Sequence, residues 1–161
     1  MKTIKDNLTI VHLDLSSNDL TARSGEVVFK VLENQCSIVS LDISSKQGIN
    51  RNRLTHEGIK NLDNVLKNNK YLEILNISGN SIKIDGLKII LSGLNNNSTL
   101  HSLNIGNNNL DFKAIELFGN NYDITNFNNQ FFNLTVNPDL STKLVEIDLS
   151  ENPIGNEVIL K

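Results

Sequence analysis

Residues 72–82 read Leu72-Glu73-Ile74-Leu75-Asn76-Ile77-Ser78-Gly79-Asn80-Ser81-Ile82. Apolar residues at 72, 75, 77 and 82 surround an asparagine at 80, and this spacing is not confined to one place. It returns at Ile10, Leu13, Leu15, Asn18 and Leu20, and at Leu100, Leu103, Ile105, Asn108 and Leu110. It returns again at Leu144, Ile147, Leu149, Asn152 and Ile154. Another copy begins at Ile38, Leu41 and Ile43, then meets extra residues before resuming at Asn52 and Leu54. Self-similarity of this kind is the signature of a stacked repeat.

The distances between matched positions set the period. Leu13 to Leu41 is 28 residues, as is Leu75 to Leu103; Leu41 to Leu75 is 34 and Leu103 to Ile147 is 44. A 28-residue unit with inserts of 6 and 16 accounts for all four. In Leu13-Asp14-Leu15 and its counterparts the alternation has period two, which predicts short half-buried strands. Strands joined by helical crossovers should pair in parallel. The repeated asparagine (Asn18, Asn80, Asn108, Asn152) falls where the chain turns off the strand. Its carboxamide can satisfy the backbone of the bend, and stacked copies can form a ladder.

Helices follow with columns of their own. Small residues stand six positions after the asparagine, at Ser24, Gly58, Gly86 and Ala114, where close helix packing would need them. The pairs Val28 and Leu32, Leu62 and Leu66, and Ile90 and Leu94 have the i, i+4 spacing of a buried helical stripe. Asn34, Asn68 and Asn96 are expected to end these helices in the left-handed conformation that asparagine tolerates. Agreement of strand, bend, helix and cap in one register supports the whole reading.

The stretch at 62–80, LDNVLKNNKYLEILNISGN, resembles the ribonuclease-inhibitor-like branch of leucine-rich repeats. That branch includes ribonuclease inhibitor, the sensor arms of NLR receptors, Ran GTPase-activating protein and the C-terminal half of tropomodulin. The resemblance covers nearly the whole chain except the long insert. It implies an α/β solenoid, a horseshoe with a parallel β-sheet on the concave face and helices on the convex face. It implies no single activity, because one fold carries many functions. The expected organisation is one domain over 1–161, of about five repeats. Because neither end carries a dedicated capping unit, the chain is expected to be a fragment of a longer array or to have its ends covered by self-association or a partner.

Projecting the strands gives the surface a partner would meet. One column reads Asp14, Asp42, Asn76, Asn104, Asp148; the next reads Ser16, Ser44, Ser78, Gly106, Ser150; an outer, more varied one reads His12, Ser40, Ile74, Ser102, Glu146. The candidate partner-binding residues are His12, Asp14, Asp42, Ile74, Asn76, Asn104, Glu146 and Asp148. The bland alternative is that small polar residues are ordinary filler there. The long insert, between Asp111 and Lys143, holds Tyr122, Phe127, Phe131 and Phe132 in a chain with few other aromatics. Exposed, Phe127, Phe131 and Phe132 would be interface anchors; the bland reading has them fold back over the convex side or plug the core beside the last repeat. The sequence Val136-Asn137-Pro138-Asp139 predicts a turn back to the final strand. The short insert, Lys46 to Arg51, makes with Arg53 and Lys60 a locally basic patch, either a solvated loop or a contact for an acidic partner.

Composition narrows the function. The net charge is −3, against the basic excess of a nucleic-acid-binding face. No apolar run reaches the roughly 18–20 residues of a membrane span, and the basic N-terminus lacks the apolar stretch of a signal peptide. Cys36 is the single cysteine, so an intramolecular disulfide is impossible and a reducing, cytoplasmic setting fits best; it reads as a small packing residue. Asparagine makes up about one residue in six. Five Asn-x-Ser/Thr sequons, at Asn7, Asn76, Asn96, Asn97 and Asn133, arise at close to the chance rate. His12, His56 and His101 share no metal-ligand spacing. The local signatures of hydrolase triads and of phosphate-binding loops are missing. The expected function is therefore a non-enzymatic scaffold for a protein partner, with no cofactor, metal, nucleic acid, membrane or small-molecule substrate. A small-GTPase regulator, a cytoskeletal repeat and a receptor sensor arm are the alternatives.

Overall fold

The computed structural model describes residues 2–46, 48, 50–119, 122–128, 131–136 and 143–154. The regular elements are α1 (Lys2–Lys5), β1 (His12–Asp14), α2 (Ala22–Leu32), β2 (Ser40–Asp42), α3 (Thr55–Gly58) and α4 (Leu62–Asn68). They continue with β3 (Ile74–Asn76), α5 (Lys83–Leu94), β4 (Ser102–Asn104), α6 (Lys113–Gly119), β5 (Tyr122–Asn128), β6 (Phe131–Val136) and β7 (Glu146–Asp148). Strand and helix alternate as far as α6, with α3 and α4 together filling one helical place, and the sheet order is β1-β2-β3-β4-β7-β6-β5. Five strands pair in parallel with their matched leucines in register: Leu13 with Leu41, Leu41 with Leu75, Leu75 with Leu103, and Leu103 with Ile147. The chain is an α/β solenoid.

Its core lies between the sheet and the helices. Leu41, Leu75, Leu103 and Ile147 enter it from the strands, and Val28, Leu32, Leu62, Leu66, Ile90 and Leu94 from the helices; all are buried. The predicted helical stripes are therefore the inward faces. The bend asparagines form a ladder. Asn80 donates through Nδ2 to the carbonyls of Ile43, Ile77 and Ser78, and its Oδ1 accepts from the Leu54 N–H. Asn108 donates to Ile77, Ile105 and Gly106 and accepts from the N–H groups of Asn80 and Ile82. Asn52 and Asn152 act alike, each receiving N–H groups of the preceding repeat. Asn18 stands exposed at the end of this ladder, where its Nδ2 donates to the Ser16 carbonyl.

Three local expectations need correcting. The left-handed caps at Asn34, Asn68 and Asn96 do not occur: those residues are exposed and none has positive φ. The next residue carries the load instead. Asn69 donates to the carbonyls of Leu32 and Gln35 while accepting the N–H groups of Tyr71 and Leu72. Asn97 donates to Leu66 and accepts from Thr99 and Leu100, Gln35 accepts from Ser37 and Ile38, and Asn7 accepts from Thr9 and Ile10. This is a second amide ladder, ahead of strands β1 to β4. In α2 the close approach falls on Gly25, not Ser24. A Cβ on Gly25 would lie 2.7 Å from the Gly58 carbonyl oxygen, whereas Ser24 makes a capping box with Thr21. Cys36 is exposed and does not pack.

The backbone of the long insert forms an antiparallel hairpin, β5 with β6, that joins the sheet where Phe132 pairs antiparallel with Ile147 of β7. Tyr122–Asn128 and Phe131–Val136 are rich in the aromatic and β-branched residues that strands favour. The surroundings of the Phe127, Phe131 and Phe132 rings lie outside the described residues, as does all of the expected turn at 136–139 beyond Val136.

Candidate functional site

The exposed face of the five-strand sheet carries the predicted columns side by side. In-register pairing places His12, Ser40, Ile74, Ser102 and Glu146 in one row, and Asp14, Asp42, Asn76, Asn104 and Asp148 in the next. The two rows differ in how far their side chains are already committed. In the second, one carboxyl or carboxamide oxygen accepts the N–H two residues on: Ser16 to Asp14, Ser44 to Asp42, Ser78 to Asn76, Gly106 to Asn104 and Ser150 to Asp148. Asn76 further donates to Asp42 Oδ2 at 3.0 Å, and Asn104 to Asp148 Oδ2 at 2.9 Å. Two of the three aspartates thus have their second oxygen covered by a neighbouring amide. Asp14 is the exception, and hydrogen bonds from Ser16 hold its carboxyl below the usual carboxylate range, with the positive charge of Lys46 adding to the effect. This row is a polar frame that shapes the bends.

The varied row is freer. His12 and Glu146 are exposed, and Ile74 leaves 43% of its surface in water. The Ser102 hydroxyl donates to Glu146 Oε2 at 3.3 Å. An isoleucine open to solvent between two serines is an apolar spot on a polar ground.

A cleft of about 370 Å³ opens where strands β2, β3, β4 and β7 turn toward the helices, between Ser45 and Lys46 at one end and Ser150 and Glu151 at the other. Gly79 and Asn107, also in its wall, have φ of 72° and 50°. Sequence reasoning did not find it, since the bends of successive repeats form it together. The signal available was the column of small residues that includes Ser78, Gly106 and Ser150, all in its wall, whose small size leaves the space open.

The basic patch is not gathered in one place. Lys60 pairs with Glu26 of α2 at 2.8 Å, which raises its pKa, whereas Lys46 lies beside Asp14 and the cleft. His12 lies on β1, His56 contacts Glu57 at 3.2 Å, and His101 precedes β4. Among the described residues no group of three histidine, cysteine, aspartate or glutamate side chains could hold a metal ion, and no helix is long and apolar enough to cross a membrane.

The Leucine Rich repeat family matches residues 6–28, 68–90, 96–121 and 140–157, more than half of the sequence. The chain belongs to that family. Its leucine-rich repeats are similar in structure to a solved chain titled "Leiomodin-1 Actin-Binding Site 2 (ABS2)", with a TM-score of 0.57 and 21% identity. The match covers 65% of this chain and 58% of that one. At this identity the similarity shows the leucine-rich-repeat fold alone. No curated protein matches the sequence.

Proposed function

We propose that this leucine-rich-repeat chain is a scaffold without chemistry of its own that holds a protein partner on its concave face. The observation that carries this reading is the contrast between the two rows. Asp14, Asp42, Asn76, Asn104 and Asp148 are tied into the bends, while His12, Ile74 and Glu146 stand exposed on a fixed lattice, Glu146 held only by the Ser102 hydroxyl. Partner contact then centres on Ile74, an apolar anchor rimmed by polar groups, as interface centres are. The 28-residue spacing and the match of the 62–80 stretch favour the ribonuclease-inhibitor-like branch, whose helical crossovers leave this face open. An exposed, unpaired Cys36 fits a cytoplasmic setting.

The test replaces Ile74, and separately Lys88 on the exposed side of α5, with a photo-cross-linking residue in cells. Cross-linking of one protein at 74 and not at 88 supports the reading. Capture at 88 alone would move the contact to the helices and sink it. The hairpin of β5 and β6 extends the sheet beyond β7, so Phe127, Phe131 and Phe132 are the second candidate contact. Loss of the 74 cross-link on deleting 121–136 would assign them a share.

A cytoskeletal reading draws on the structural neighbour, whose title names an actin-binding site. It requires that the chain co-sediment with actin filaments or slow their pointed-end growth, and that Ile74→Lys abolish the effect. Neither activity in the unaltered chain would remove it.

A further inference from the structure

The first repeat exposes apolar surface that the inner repeats bury. Leu8, Val11 and Val27 are 67%, 41% and 40% exposed. Ile10, Leu13, Leu15 and Leu20 are only partly buried, although their counterparts Ile38, Leu41, Ile43 and Leu54 are fully covered. On the helix side, α1 packs on α2 and its Ile4 lies against the core. What stays open is the strand side, where β1 is the edge of the sheet.

The backbone of β1 says what fits there. The Val11 carbonyl accepts N–H groups of Val39 and Ser40, and the Leu15 N–H donates to Asp42. Odd-numbered residues therefore spend their main-chain groups on β2. Along a strand these groups alternate in direction, so those of His12 and Asp14 face the open edge. A two-fold axis through Leu13, perpendicular to the sheet, would bring a second β1 alongside in antiparallel register. His12 then stands opposite Asp14 of the second copy, and Asp14 opposite its His12. Each pair faces hydrogen-bonding backbone to hydrogen-bonding backbone. On the concave face the pairing sets imidazole against carboxylate twice. On the core side Val11 meets Leu15 and Leu13 meets Leu13. An imidazole N–H can donate to a carboxylate set directly across an antiparallel pair, and a self-complementary patch is what a two-fold interface requires.

We propose that the open edge of β1 is a dimer interface, through which a second copy of this chain continues the sheet with His12 and Asp14 paired across the seam. The proposal stands apart from the concave-face reading. The cross-link at Ile74 reports on a strand two places from the seam, so either can fail alone.

Sedimentation velocity of the 161-residue chain, from low to tens of micromolar, tests it. The unaltered chain should move from monomer to dimer as concentration rises. His12→Asp sets like charges against Asp14 twice. His12→Pro removes the N–H that faces the open edge and leaves the bonds to β2 in place, a substitution edge strands accept. Each should raise the dimer dissociation constant by roughly tenfold or more, with circular dichroism unchanged. The His12 side chain is exposed, so His12→Asp keeps the fold and gives a reading even where the proline variant loses it. A chain that stays monomeric throughout would leave the edge to solvent or to a strand of another protein and overturn the proposal. A dimer undiminished in the folded variants would overturn it equally.

Discussion

Asn97 is 2% exposed, and its carboxamide touches two repeats at once. Nδ2 donates to the Leu66 carbonyl at 2.6 Å, closing the end of α4, while Oδ1 takes the N–H of Leu100 at 2.7 Å. Asn97→Ala leaves those buried groups without partners, and each such loss is worth about 1–3 kcal/mol. Urea denaturation should show the variant less stable by at least that amount; a change within about 0.5 kcal/mol, as at an ordinary surface site, would mean that water replaces the amide. The bend ladder was legible from the sequence because one residue type recurs at one spacing. The second ladder was not. Asn68 precedes Asn69, Asn96 precedes Asn97, and Gln35 stands in for asparagine in one copy, so backbone preference alone chooses the wrong neighbour. What decides is a carbonyl a whole repeat away. The usable signal was position: Asn7, Gln35, Asn69 and Asn97 each lie three residues before the first apolar residue of the motif. Two sequons gain a structural meaning here, since the Thr9 hydroxyl donates to Asn7 and the Thr99 hydroxyl accepts from Asn97.

Helix α2 meets α3 through Ala22, Gly25 and Gly58. A Cβ on Gly58 would lie 2.9 Å from the Ala22 Cα and 3.0 Å from its carbonyl oxygen. Two effects oppose each other in Gly58→Ala. Helix propensity improves by about 1 kcal/mol, but overpacking against backbone costs about 1–3 kcal/mol. Backbone atoms cannot swing aside as side chains do, so net destabilisation is expected and a lower melting temperature should show it. A raised melting temperature would mean the helices separate freely. Element existence and the inward stripes were readable because i, i+4 spacing is a local property. The choice of Gly25 over Ser24 was not, because it depends on where the second helix breaks between α3 and α4. The hairpin at 122–136 escaped notice for a related reason. Its many asparagines hide the strand signal, and pairing with β7 is a contact that no local pattern encodes.

At the scale of the whole chain, the amides of Leu15, Ile43, Ile77 and Ile105 make the same bond to the next strand, at 2.7, 2.9, 3.0 and 2.9 Å. Their exchange rates therefore compare stacking rather than bond length. A solenoid is held by nearest-neighbour interfaces, and regions with fewer buried contacts open at lower free energy. Hydrogen exchange in dilute solution should release Leu15 at least roughly tenfold faster than Ile77; equal rates would show that the repeats open as a single unit. The sheet order and the register of the concave rows were legible, since both follow from one period. The standing of the residues within those rows was not: each aspartate gives one oxygen to the N–H two residues on, and Asp42 and Asp148 give the other to a neighbouring asparagine, bonds that no spacing encodes. The bend ladder also runs in one direction. Asn52 closes the bend that holds Asn18 and Leu20, Asn108 closes the one that holds Asn80 and Ile82, and Asn152 closes the one that holds Asn108 and Leu110. The closing residue always comes later in the chain. On the ribosome, where residues are added at about 5–20 per second, each repeat leaves the exit tunnel with an open bend and waits a second or more for its successor to supply the missing amide, so the nascent solenoid always trails synthesis by one repeat.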